Sequence, residues 1–237
     1  LQILRPISPS YVLFYFSYVV VILVAFFCER IHLIYVKPLV PVSLIVIYII
    51  KTKVVNVFYI LSMIAIAIND TLVYADFDKY FNVVGMLIIS FYLINIFLLR
   101  SYISLADIKL KKLASFPIII SSILISYLIF SVSQLVLPVL MDSIVTFFAI
   151  LFAVLLFVGV CFFIYITDRY QGNFKLFISA SCCLFVNALL LINHFYYYAR
   201  EFTILANIAE IAGLYFFLQF LIEARLLDRE DNYLKDV

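Results

Sequence analysis

The chain has 237 residues, of which 68% are hydrophobic and 13% charged, with a formal charge of +2 and a mean hydropathy of +1.22. A water-soluble domain cannot hide so much apolar side chain, because its exterior must be wetted by polar and charged groups. No basic arm points to nucleic acid, and membrane lipid is the solvent that accommodates this composition.

Apolar runs of ~20 residues, the length a helix needs to cross ~30 Å of hydrocarbon, recur along the whole chain. They predict an all-α, polytopic bundle of about eight transmembrane helices in a single domain, 1–222, with a short charged tail, 223–237. The expected spans are 11–28, 31–50, 54–75, 80–99, 113–137, 144–166, 174–197 and 203–222. Val145–Ile166 shows no alternation of apolar and polar residues, which argues against a β-barrel. The chain starts at Leu1, and its first apolar run is of membrane length with no small-x-small site after it, so a cleaved signal is not expected.

Charge orients the spans. With eight of them, one side holds Arg5, Lys51, Lys53, Arg100, Lys109, Lys111, Lys112, Arg169, Lys175, Arg225, Arg229 and Lys235, twelve of the sixteen basic residues. The other holds Arg30, Lys37, Lys79 and Arg200. The positive-inside rule then places both termini in the cytoplasm. Arg100–Lys112, with Ile103, Leu105, Ile108 and Leu110 among its lysines, is expected to lie along the cytoplasmic surface. Cys28, Cys161, Cys182 and Cys183 lack metal-ligand spacing and read as small apolar packing residues. No metal or cofactor motif is visible.

Ionisable side chains inside spans cost about 2.5–3.5 kcal/mol on insertion scales, so each needs a reason. Lys37 precedes Pro38 in the second span, with Pro41 one turn on; Asn69-Asp70-Thr71 lies in the third; Glu210 lies in the eighth and His194 near the end of the seventh. Lys37, Asp70, Asn187 and Glu210 all fall in the outer half of the membrane, and a polar cavity reached by the three charged groups is the sharp expectation. The plainer readings stand beside it. Asp70 reaches interfacial water, Lys37 snorkels to headgroups, Glu210 is a structural partner of either, and His194 joins Tyr196, Tyr197 and Tyr198 in an aromatic belt. Asn95 and Gln219 fall toward the cytoplasmic side and read as interhelical hydrogen-bonding groups. An internal echo relates Asp70-Thr71-Leu72 to Asn187-Ala188-Leu189, and Phe91–Asn95 to Tyr215–Gln219. A parallel repeat would place a site at the repeat interface.

Lys37-Pro38-Leu39, Asn69-Asp70 and the run from Tyr215 through Gln219 to Ile222 resemble the motifs of the YhhN family of lysoplasmalogenase-like membrane proteins. The resemblance extends from about Tyr11 to Ile222. It departs at two places: the family's Ser-Asp stands here as Val186-Asn187, and its Gly-His as Ile94-Asn95. It implies about eight spans in a bacterial inner membrane, a lysophospholipid ligand, and two carboxylates that hydrolyse its vinyl-ether bond, one as acid and one activating water. Asp70 is the retained carboxylate and Glu210 the candidate replacement for the second. The pocket expected around them comprises Lys37, Asn69, Asn95, Asn187, Tyr215 and Gln219. The alternatives are a relative that binds or carries a lipid or small molecule without turnover, and a membrane input or scaffold module acting through its loops.

Overall fold

The computed structural model describes residues 9–52, 54–103 and 116–226. Among these the chain is helical apart from turns and an isolated bridge between Tyr170 and Leu226. The helices are α1 (Pro9–Phe27), α2 (Leu33–Val36), α3 (Leu39–Lys51), α4 (Val57–Leu99), α5 (Phe116–Val136), α6 (Ile144–Thr167), α7 (Asn173–Phe195) and α8 (Arg200–Glu223). Among the described residues, six stretches are long and apolar enough to cross a membrane: Pro9–Phe27, Arg30–Lys51, Val57–Tyr102, Ile144–Thr167, Asn173–Phe195 and Arg200–Glu223. Large apolar side chains such as Phe16, Phe27, Tyr35, Val145 and Phe152 are exposed on the outside. That surface is stable against lipid and not against water, and the chain is an integral membrane protein.

The third and fourth expected spans meet at Asp76. The break between them is present and tighter than a loop: α4 is two helices joined at a kink where Asp76 leaves helical geometry. The Lys79 amide donates to Asp76 Oδ1 at 3.1 Å, so the aspartate acts as an N-cap and restarts the helix without a loop. The halves of α4 fold back on each other, since the Phe58 and Phe97 rings near its two ends lie 4.8 Å apart, and at 1.5 Å per residue each half is roughly 30 Å long, enough for one crossing. The first turn of α4 is capped in the same way by Asn56, whose Oδ1 accepts from the Phe58 amide at 3.0 Å. The expected surface segment reaches the described structure only as far as the 3-10 turn Arg100–Tyr102 and Ile103; residues 104–115, with Lys109, Lys111 and Lys112, and the tail beyond 226 lie outside the described residues.

Pro38 and Pro41 shape the second stretch. Pro41 has no N–H to bond the Lys37 carbonyl four residues back, and the Val40 amide takes that oxygen at 3.0 Å in a tighter turn. Lys37 therefore sits at the break between α2 and α3.

Helix α8 packs against α7, α1 and α3, while α4 packs against α2, α3 and α6, and α6 also packs against α7. The core between them is filled by Leu44, Tyr59, Met63, Phe157, Leu176, Leu218 and Phe220. Helix α5 is peripheral and rests on α7. A close helix approach is marked by Gly85 of α4, where an added Cβ would collide with the Thr146 methyl group of α6. Thr146 also donates to Asn82 Oδ1 at 2.7 Å, tying the same two helices together. Gly85→Leu should therefore destabilise the protein by about 1–3 kcal/mol through overpacking. Thermal unfolding in detergent measures this, and an unchanged midpoint would show that α4 and α6 are not held this closely.

Candidate functional site

The break at Lys37 aims its side chain at α4 and α8. Its ammonium lies 3.1 Å from Asp70 Oδ1 and 2.6 Å from Glu210 Oε2. All three groups are shielded, with side-chain exposures of 4%, 3% and 12%. Their burial rules out the readings in which Asp70 reaches open water and Lys37 extends to the headgroups. A buried ammonium and carboxylate are tolerable only in such company, since each alone in a low-dielectric interior carries a penalty of several kcal/mol.

Tyr74, one turn beyond Asp70 on α4, covers the cluster. The Lys37 nitrogen sits 4.9 Å from the centroid of its ring, and the phenolic oxygen accepts from Asn207 Nδ2 of α8 at 3.0 Å. Arg30 approaches the same ring at 5.4 Å. Arg30 can only donate, so its 3.3 Å contact makes His194 Nδ1 an acceptor, and His194 Nε2 then donates to Asp78 Oδ1 at 3.1 Å. Packed against Phe77 as well, His194 is a half-buried link between α7 and the bend of α4. The sequence treated Arg30 and Asp78 as loop charges and His194 as a belt residue. Only the packing of three separated segments reveals the connection.

Asp70 and Glu210 line one cavity together with Asn69, Tyr92, Cys183 and Asn187, on a floor of Ile66, Ile88, Phe91 and Leu214. Its empty space is about 570 Å³ with the open solvent at its mouth included. Asn187 donates through Nδ2 to the Tyr92 hydroxyl at 2.7 Å and to the Cys183 carbonyl at 2.8 Å. Two acceptors in residues lining this cavity are buried and lack partners: Glu210 Oε1 and Asn69 Oδ1. An unpaired buried acceptor costs about 1–3 kcal/mol, so the cavity favours an occupant bearing hydrogen-bond donors.

Of the residues singled out from sequence, Lys37, Asn69, Asp70, Asn187 and Glu210 meet here, with Lys37 behind the carboxylates. The others stand apart. Asn95 is fully buried with neither side-chain polar atom paired, but it is not among the residues lining this cavity. Tyr215 stacks on Phe14 of α1 at 4.9 Å, and Gln219 donates to the Tyr11 hydroxyl at 3.1 Å. Both join α8 to α1. Tyr74 and Tyr92 are contributors the sequence did not single out; one hydroxyl among 18 tyrosines gives no distinguishing signal. Among the described residues no group of three His, Cys, Asp or Glu side chains could hold a metal ion, and all four cysteines are free thiols.

Lys37→Met leaves two carboxylates facing each other without their cation and should lower stability by about 3–5 kcal/mol. Replacing all three groups, Lys37→Met with Asp70→Asn and Glu210→Gln, should recover most of that loss. Thermal unfolding of both variants in detergent decides: a triple variant as unstable as the single one would show that charge pairing is not what matters here. No family model matches the chain, and no curated protein or solved structure matches it.

Proposed function

We propose that the chain is a YhhN-like intramembrane hydrolase that cleaves the vinyl-ether bond of a lysolipid, with Asp70 and Glu210 as its acid–base pair. On this reading it makes eight crossings with both termini in the cytoplasm, in a bacterial inner membrane. The capped kink at Asp76 and the return of Phe97 to Phe58 support counting α4 as two crossings, and the asymmetry of basic residues supports the orientation.

The observation that carries the proposal is the division of labour within Glu210. One carboxylate oxygen grips Lys37, and the other is buried without a partner in a residue lining the same cavity as Asp70. An ammonium between two carboxylates is neutral overall when the acids hold one proton between them. That state contains one proton donor and one acceptor, which is what enol-ether hydrolysis requires. The protonated acid delivers its proton to the alkene carbon remote from the ether oxygen, leaving an oxocarbenium ion. The other carboxylate takes a proton from water as the water oxygen bonds to the cationic carbon. The resulting hemiacetal collapses to an aldehyde and the free glycerol hydroxyl. A lysolipid also carries the donor the cavity lacks, because its free glycerol hydroxyl can satisfy Glu210 Oε1 or Asn69 Oδ1.

One observation favours the second reading, a binder without turnover. Both carboxylates are held on Lys37, and the position of the family's second aspartate is occupied by Asn187, which is itself tied to Tyr92. Aldehyde release from an alkenyl lysophospholipid by the reconstituted protein separates the two. If the proposal is right, Asp70→Asn and Glu210→Gln each lower kcat by about 10²–10⁴-fold while the variants remain folded. Turnover unchanged in Glu210→Gln removes that residue from the chemistry, and saturable binding without turnover by the wild type establishes the binder.

A further inference from the structure

A second cavity lies beside the acid-lined one. Its walls come from the half of α4 beyond Asp76, from α5, from α6 and from α7, and include Phe81, Val84, Val132, Phe147, Ile150 and Leu191. Its empty space, open solvent at the mouth included, is about 700 Å³, and nearly every lining group is apolar. Ile88, Asn187 and Leu190 line both cavities, so the two meet at a shared wall whose polar member is Asn187. One side of that wall offers unpaired acceptors beside buried charge; the other offers hydrocarbon alone. From Ile88 to Phe77, the apolar cavity follows about 16 Å of α4.

We infer that the apolar cavity holds the single hydrocarbon chain of an amphiphile whose polar end occupies the acid-lined cavity, with α5 as the wall facing the bilayer. This rests on the reading of the acid-lined cavity as an amphiphile site, whether or not turnover follows. A polar molecule alone would leave the apolar side empty, and a plain hydrocarbon would leave the acceptors unpaired. One chain with a donor-bearing end satisfies both. Helix α5 suits the role of outer wall, because it rests on α7 and turns Leu128, Val132 and Ser133 toward the cavity while Tyr127 and Phe130 face outward. Bilayer lipid is as apolar as the cavity, so hydrophobicity alone gives no preference for entry. Selection must come from the fit of chain length and from the polar end.

The test uses the full chain in lipid nanodiscs and lysophosphatidylcholines of lauroyl, myristoyl, palmitoyl and stearoyl length, each with a photoreactive diazirine at the chain terminus. After irradiation, the labelled residues are located by peptide mass spectrometry. The expected result is labelling of cavity residues on α5 and α6 with an optimum chain length. Val132→Phe should reduce that labelling roughly tenfold for the optimal chain, and Tyr127→Phe on the outer face should leave it unchanged. Should Val132→Phe fail to fold, Val132→Ala serves instead: the larger cavity should move the optimum to a longer chain. Labelling confined to outward residues such as Phe130 and Phe152, a profile without an optimum, or an optimum unmoved in the folded variants overturns the inference. So does equal cavity labelling by a two-chain phosphatidylcholine that excess lysolipid does not displace. Cavity labelling without vinyl-ether turnover would overturn the hydrolase and leave the chain site standing, whereas turnover with labelling only outside would do the reverse.

Discussion

The ammonium of Lys37 holds together parts of the chain that lie far apart in sequence. It joins the break between α2 and α3 to Asp70 of α4 and to Glu210 of α8. In water an exposed pair of this kind would be worth little. Inside a bundle surrounded by lipid, the alternative to pairing is an isolated buried charge, and the penalty for that fixes the geometry of every helix that contributes. Pro38 and Pro41 place the lysine at a break in the helical stretch. Tyr74 then closes over the ammonium and is held by Asn207, so α4 and α8 meet through a neutral contact as well as a charged one.

The same energetic reasoning explains which parts of the site were legible in the sequence. Lys37, Asp70 and Glu210 stand out because charge in an apolar run demands an explanation, and their mutual pairing follows from the scarcity of other partners. Asn69 and Asn187 were legible as neighbours of those positions. Arg30 and His194 were not, because a charge at a span end is satisfied equally well by water or by another helix, and sequence does not distinguish the two. Gln219 and Tyr215 resembled motif residues, yet they serve the contact between α8 and α1; a shared residue type carries no information about which face of a helix it occupies. The break at Asp76 was legible from the charges that interrupt the apolar run, but its brevity was not: the capping bond to the Lys79 amide restarts the helix without a loop. The apolar cavity had no signature at all. A void is set by how closely side chains on different helices approach, and α5, resting on α7, leaves a gap that no residue in its own sequence announces.

Asn187, which stands where the YhhN motif it resembles has an aspartate, can donate as a carboxylate cannot. An amide donates, and here it donates to Tyr92 and to the Cys183 carbonyl, which fixes it as part of the wall between the two cavities. A carboxylate at that place would confront the acid pair with a third acidic group served by no additional cation. Glu210, approaching from α8, reaches Lys37 directly, and the three groups are neutral together when the two acids share one proton. On the proposed reading, the second acid has moved to the neighbouring helix because the available cation is there.

Glu210 also links the stability of the bundle to occupancy of the cavity. Oε2 contributes to the ion cluster, whereas Oε1 stays buried and unpaired near Asn69 Oδ1, also unpaired. Those two acceptors make the empty cavity the less favourable state by an amount that a donor-bearing occupant returns on binding. The charge cluster alone would explain a rigid, purely structural core. It does not explain why acceptors are left unsatisfied beside a cavity that continues into a second, apolar one. On the proposed reading those acceptors and the space beside them serve a ligand, so the region binds as well as fastens helices.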